Sequence, residues 1–105
     1  MKREHLEKIN SLFMEQIEAL KGEGAGEQEL NDPAVADLAL RKIFEEYFDE
    51  IRTDPDLTDE IFAMVSNRAS PEDLREIAGQ AREEGISKLG HYLDLIAGFR
   101  AERPL

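Results

Sequence analysis

Residues 40–51 read Leu-Arg-Lys-Ile-Phe-Glu-Glu-Tyr-Phe-Asp-Glu-Ile, the most strongly patterned stretch of the chain. Its apolar residues follow the spacing of an α-helix, at Leu40, Ile43, Phe44, Tyr47, Phe48 and Ile51. Because a helical turn takes about 3.6 residues, this spacing places all of them on one face. The stretch therefore predicts an amphipathic helix whose apolar face packs into a core. We expect Phe44, Tyr47 and Phe48 to be core residues, and the alternative is that part of this face is an exposed groove.

Helix starts are marked elsewhere by a capping residue followed by proline, at Asp32-Pro33, Asp54-Pro55 and Ser70-Pro71. An aspartate or serine side chain can accept a hydrogen bond from the first helical turn. Proline suits the first helical position, where its missing N–H would have no partner in the helix. Thr58 competes with Asp54 as a cap for the middle of these three helices. The signals predict separate helices that begin at these positions.

Helical spacing extends through nearly the whole chain, and no stretch alternates with the period of two that a strand would show. Helix one is predicted over residues 3–21, with Gly22 closing it in the left-handed conformation. Residues 22–31 are rich in glycine and predict a flexible loop. A helical core follows over residues 32–103, and residues 1–105 are expected to form a single domain.

The predicted core contains four helices. These helices are expected to end at Ile51, near Asn67, at Gly85 and before Pro104. Arg100 and Arg103 lie near the end of the last of them. Short connections between helices favour antiparallel neighbours. The fold class predicted is therefore all-α, a small antiparallel helical bundle of four to five helices.

Composition limits the classes of partner. The chain of 105 residues has a formal net charge of −11 and no cysteine. Negative charge repels nucleic-acid phosphates and anionic membranes, so we expect no direct nucleic-acid binding and no membrane association. A chain without cysteine has no disulfides or thiolate metal ligands, and no secretory signal is visible, so we expect a cytoplasmic protein.

Negative charge is concentrated in residues 45–60, which we call the acidic segment. Eight carboxylates lie there against one base, Arg52: Glu45, Glu46, Asp49, Glu50, Asp54, Asp56, Asp59 and Glu60. Charge runs of this kind usually form the solvated face of a helix. We therefore interpret the eight carboxylates as a candidate acidic interaction face, exposed to solvent.

Catalytic and metal-binding patterns are missing from the sequence. Asp54, Asp56 and Thr58 match the opening of a calcium loop, but Asp59 stands where glycine is needed and Val65 where a glutamate is needed. His91 and Asp94 share a helix face, which more often gives a surface hydrogen bond than a metal site. We predict no catalytic residue, no cofactor, no metal and no enzymatic activity. Should a pocket exist, Tyr47, Tyr92 and His91 would be the residues to inspect first.

Surplus apolar residues favour a role in protein–protein interaction. Leu12 and Met14 on helix one and Leu95 on helix five lie off the main apolar stripes and are candidate contact residues. We therefore predict a small acidic interaction module (an adaptor, regulator or chaperone-like protein) that forms a homodimer and binds a partner protein, which the charge suggests is basic. The alternative is an acidic mimic of DNA that inhibits a nucleic-acid-binding protein.

Overall fold

Three of the helices begin where capping signals predict them. The computed structural model describes residues 1–102, and its elements there are α1 (Arg3–Gly22), α2 (Glu27–Leu30), α3 (Pro33–Glu46), α4 (Phe48–Ile51), α5 (Pro55–Val65), α6 (Pro71–Glu83) and α7 (Ser87–Glu102). Asp32 caps α3, Asp54 caps α5, and Ser70 forms a reciprocal capping box with Asp73 at α6. Thr58 is not a cap, because its hydroxyl donates to the carbonyl oxygens of Ile51 and Asp54, each at 2.9 Å.

The all-α prediction is confirmed for residues 1–102, which contain no strand, but these residues form seven helices where four to five were predicted. The antiparallel order of the helices stays a prediction. Arg103 and Pro104, and with them the predicted end of the helical core, lie outside the described residues.

One additional helix, α2, lies inside the predicted glycine-rich loop. Its last residue, Leu30, is buried, which gives this segment an anchor in the core. The closing glycine of α1 was also predicted two residues too early. Gly22 belongs to the helix, and Gly24 adopts the left-handed conformation with φ +99°. The amide of Ala25 then donates to the carbonyl oxygen of Leu20 at 3.0 Å, closing the last turn.

The other additional helix results from a break at Tyr47, which separates α3 from α4. Neither glycine nor proline is present there. A continuous helix would place Glu45 over Asp49 and Glu46 over Glu50, and like charges four residues apart destabilise a helix. The backbone of Tyr47 leaves the helical region, with φ −115° and ψ 22°. The break therefore places Glu45 and Glu46 on a different helix from Asp49 and Glu50.

At the centre of the structure lies α3, which contacts α1, α2, α4, α5 and α7, while α6 packs most extensively on α7. The largest side chains that are fully buried come from six of the seven helices: Phe13, Leu6, Ile9, Leu40, Ile43, Ile51, Ile61, Met64, Leu74, Leu89, Leu93 and Ile96. The rings of Phe13 and Tyr92 meet at 5.1 Å between α1 and α7. One core thus holds α1 and α3 to α7.

A buried ion cluster centred on Asp37 joins α3, α5 and α7. Oδ1 of Asp37 accepts from Nε of Arg100 at 2.8 Å, and Oδ2 accepts from Nε of Arg41 at 2.9 Å. The same two arginines donate to the carbonyl oxygens of Met64 and Val65, the last two residues of α5. Burial lowers the pKa of Arg100, and the charge of Asp37 opposes this change. The cluster therefore places two cations at the C-terminus of α5, where the helix dipole favours them.

The close approach of α6 and α7 predicts unequal effects for two glycines of α7. A Cβ at Gly90 would lie 2.9 Å from Cγ of Arg82 and 3.0 Å from the carbonyl oxygen of Ala78, whereas a Cβ at Gly98 would meet nothing within 4 Å. Gly90→Ala should therefore lower the free energy of unfolding by about 1–3 kcal/mol through overpacking. Gly98→Ala should leave it unchanged or raise it by about 0.5–1 kcal/mol, since alanine favours helix. Urea denaturation measures both, and equal effects would contradict the close packing.

Candidate interaction surface

Three phenylalanine rings from α3, α4 and α5 form what we call the aromatic patch: Phe44, Phe48 and Phe62. The ring of Phe44 lies 5.3 Å from that of Phe48 and 5.6 Å from that of Phe62, centroid to centroid, and both pairs are tilted. Such distances and angles are favourable for aromatic pairs. Phe48 and Phe62 are each 41% exposed, while Phe44 is half-buried at the edge of the core.

The break at Tyr47 helps to explain why the patch faces outward. Ile51 at the end of α4 is fully buried, and Phe48 at its start is left in solvent. The expectation that Phe48 is a core residue is therefore wrong, whereas Phe44 and Tyr47 pack partly against the core. The hydroxyl of Tyr47 lies 3.4 Å from Nε2 of Gln16. Burial, with a hydrogen bond to Glu15, raises the pKa of Tyr47.

A cation already lies on the aromatic patch. The guanidinium carbon of Arg68 lies 5.7 Å from the centroid of the Phe62 ring, within the range of a cation–π interaction. Arg68 follows α5 in the connection to α6 and is exposed. The face of Phe62 therefore accepts a guanidinium group from this chain.

The acidic segment does not form one uniform solvated face, because half of its carboxylates bind side chains of α1. Glu46 accepts from Gln16 at 2.6 Å, and Glu50 pairs with Lys8. Asp54 and Glu60 both bind His5, which is buried. These four carboxylates attach α1 to the rest of the protein.

The other four carboxylates are exposed: Glu45, Asp49, Asp56 and Asp59. The side chain of Asp49 is 96% exposed, with Arg52 at 3.8 Å. Glu45 and Asp49 directly follow Phe44 and Phe48 in the chain, and Asp59 precedes Phe62 by three residues on α5. Residues three apart on a helix are surface neighbours. Asp59 is therefore expected beside Phe62, and Glu45 and Asp49 adjoin Phe44 and Phe48 in the chain.

The predicted apolar contact residues are separated in the structure. Leu12 is 2% exposed and belongs to the core, so it offers no surface to a partner in this conformation. Met14 and Leu95 are half-buried. Leu95 lines a shallow groove of about 390 Å³ together with other residues of α7 and the first residue of α3: Pro33, Asp94, Gly98, Phe99 and Glu102. Leu12, Met14 and Leu95 therefore do not combine into one exposed surface.

The polar residues singled out for inspection also have separate partners. Nε2 of His91 lies 2.8 Å from Oδ1 of Asn31, and Asp94 pairs with Arg82, so the expected pairing of His91 with Asp94 is wrong. Tyr92 packs against Phe13. Within residues 1–102, no three histidine or acidic side chains are grouped so that they could hold a metal ion.

Comparison of the chain with protein-family models, with curated proteins and with solved structures finds no match. Among the described helices, none has both the length and the apolar character needed to cross a membrane. Function must therefore be argued from the geometry of this chain. Sequence reasoning identified the carboxylates but missed Phe62, Arg68 and His5. The three-residue spacing of Asp59 and Phe62 is the sequence signal that could have associated Phe62 with the acidic segment.

Exposure predicts that the aromatic patch contributes little to stability. Phe48→Ala and Phe62→Ala should each lower the free energy of unfolding by about 1 kcal/mol, because much of each ring is already in water. The matched control is Phe13→Ala, since Phe13 is fully buried. Phe13→Ala should lower the free energy of unfolding by about 3–5 kcal/mol. Chemical denaturation measures all three variants, and a cost at Phe48 or Phe62 as large as that at Phe13 would assign the patch to the core.

Proposed function

We propose that this protein is a non-catalytic interaction module that binds a basic partner protein through the aromatic patch and the exposed carboxylates beside it. The observation that carries the proposal is the contact of two partly exposed phenylalanines, Phe48 and Phe62, with the ring of Phe44 on the surface of a small acidic protein. Contiguous exposed apolar surface of this kind often marks an interaction site. Aromatic residues also provide much of the binding energy in many interfaces.

The chemistry of the surface indicates the chemistry of the partner. Glu45, Asp49 and Asp59 would attract a basic segment and accelerate its association. The contact of Arg68 with Phe62 supports arginine as one of the side chains that the patch accepts. The partner proposed is therefore a segment in which arginine and apolar side chains share one face. Binding should displace Arg68 or share the ring with it.

The roles proposed for the module are those of an adaptor, a regulator or a chaperone-like protein. A homodimer and a cytoplasmic location stay predictions from the sequence, and the binding proposal does not depend on either. Mimicry of DNA is the competing function. It has less support, because Glu46, Glu50, Asp54 and Glu60 already bind side chains of α1.

A synthetic helical peptide with arginine and leucine on one face tests the proposal. The peptide should bind the wild-type protein, and Phe48→Ser combined with Phe62→Ser should weaken binding at least about tenfold, equivalent to about 1.4 kcal/mol. Leu38→Ser is the matched control, since Leu38 is 55% exposed and lies on a different face of α3 from Phe44. It should leave the affinity unchanged. Fluorescence anisotropy measures the dissociation constants at two salt concentrations.

Three outcomes separate the candidate functions. Loss of affinity in the aromatic variant alone, with weaker binding at high salt, supports the proposal. Equal binding by the wild type and the aromatic variant rejects it. If Glu45→Gln, Asp49→Asn and Asp59→Asn together abolish binding while the aromatic variant binds normally, recognition is purely electrostatic, as the DNA-mimic alternative requires.

A further inference from the structure

We propose that His5 is an acid-stabilised latch: a buried imidazolium held between Asp54 and Glu60 fastens the start of α1 to α5, and this attachment weakens as pH rises. The inference concerns a site outside the aromatic patch and does not depend on the identity of any partner. It rests on the position of one ring between two carboxylates that lie 49 and 55 residues away in the chain.

The geometry of the ring specifies its charged state. Nε2 of His5 lies 2.9 Å from Oδ2 of Asp54, and Nδ1 lies 2.9 Å from Oε2 of Glu60. The His5 side chain is only 6% exposed. Ionised carboxylates accept hydrogen bonds but cannot donate them, so both ring nitrogens must carry a proton. A neutral ring has one N–H and would turn a lone pair toward a carboxylate, which is unfavourable away from water.

The start of α1 lacks the usual means of attachment. Lys2 occupies the N-cap position, and its side chain makes no capping hydrogen bond. The neighbouring ion pairs join Arg3 to Glu7 within α1, Arg3 to Glu84 on α6 at 2.9 Å, and Lys8 to Glu50 on α4. Their side chains are all at least one-third exposed, and exposed pairs contribute little. His5 differs from them because its ring is 6% exposed, although the side chains of its partners Asp54 and Glu60 are 45% and 29% exposed.

The direction of the pH effect follows from the pKa of His5 in the folded protein. Burial lowers the pKa of His5, but the hydrogen bonds and charges of Glu60 and Asp54 outweigh burial and raise the pKa above its ordinary value. The stabilisation from His5 is therefore complete at pH values below its pKa in the unfolded chain, about 6.5. It is lost as pH rises through its pKa in the folded protein.

Asp54 sets the acid limit of the latch. Its hydrogen bond from the amide of Leu57, together with that from His5, lowers the pKa of Asp54 despite partial desolvation. The stabilisation from Asp54 is present at pH values above its pKa in the unfolded chain, about 3.9. It is lost as pH falls through its pKa in the folded protein. The latch is therefore strongest between mildly acidic and near-neutral pH.

Loss of the latch should loosen the first turns of α1 and leave the rest of the helix in place. Buried apolar side chains that do not titrate also hold α1, with Leu6 in the first turns and Ile9, Phe13 and Ile17 farther along. Protection of the Leu6 amide, which bonds the carbonyl oxygen of Lys2, should report the latch. Protection of the Ile17 amide should not.

The experiment uses the full chain with His91→Gln, which leaves His5 as the only histidine. NMR follows the ring protons of His5 from pH 5 to 9 and the hydrogen exchange of the Leu6 amide, corrected for intrinsic exchange. The ring should titrate above pH 6.5. Leu6 protection should then fall by up to about tenfold per pH unit between the unfolded and folded pKa values.

Glu60→Gln and Asp54→Asn are the test variants. Each replaces a carboxylate with an amide of the same shape, and asparagine keeps the oxygen that caps α5. Each should move the His5 titration to lower pH, and the two together should remove the pH dependence of Leu6 protection. A His5 titration at or below pH 6.5 in the single-histidine chain overturns the proposal, as does Leu6 protection that does not change with pH. The His5 titration and the Leu6 protection are measured in the single-histidine chain, so neither result depends on whether the carboxylate variants fold.

Discussion

The structure depends most on the contact of buried Asp37 with Arg100, which is also buried, and with Arg41, which is partly exposed. One carboxylate from α3 holds one arginine from its own helix and one from α7, and both arginines bind the final carbonyl oxygens of α5. An isolated charge in this position would be very unfavourable, so each member of the cluster requires the others. The position of α5 determines where Phe62 and Glu60 lie. The aromatic patch and the contact with His5 therefore both depend on this cluster.

The acidic segment combines structural and surface roles in sixteen consecutive residues. Four of its carboxylates bind α1, and the other four, Glu45, Asp49, Asp56 and Asp59, are exposed. The break at Tyr47 relieves the alignment of like charges and places Phe48 and Ile51 together on α4, where Ile51 is buried and Phe48 is 41% exposed.

Local signals predicted much of the fold, whereas contacts distant in sequence were not predictable. Asp32-Pro33, Asp54-Pro55 and Ser70-Pro71 each marked a helix start, because capping chemistry involves only neighbouring residues. The break at Tyr47 left no glycine or proline as a signal, and α2 depends on the burial of Leu30. Asp37 and Arg100 are 63 residues apart. The chain contains many other acidic and basic residues that are far apart in sequence and could have paired instead. The carboxylates of the candidate site were found from composition, but Phe62 and Arg68 required the packing of α5 on α3.

A double-mutant cycle between Asp37 and Arg100 tests the central claim most directly. Asp37→Asn and Arg100→Gln should each lower the free energy of unfolding by about 3–5 kcal/mol, because each leaves a buried charge without its partner. The double variant should cost little more than either single variant, which gives a coupling energy of several kcal/mol. Losses that add to within about 0.5 kcal/mol would show that the two residues stabilise the protein independently, and would contradict this account.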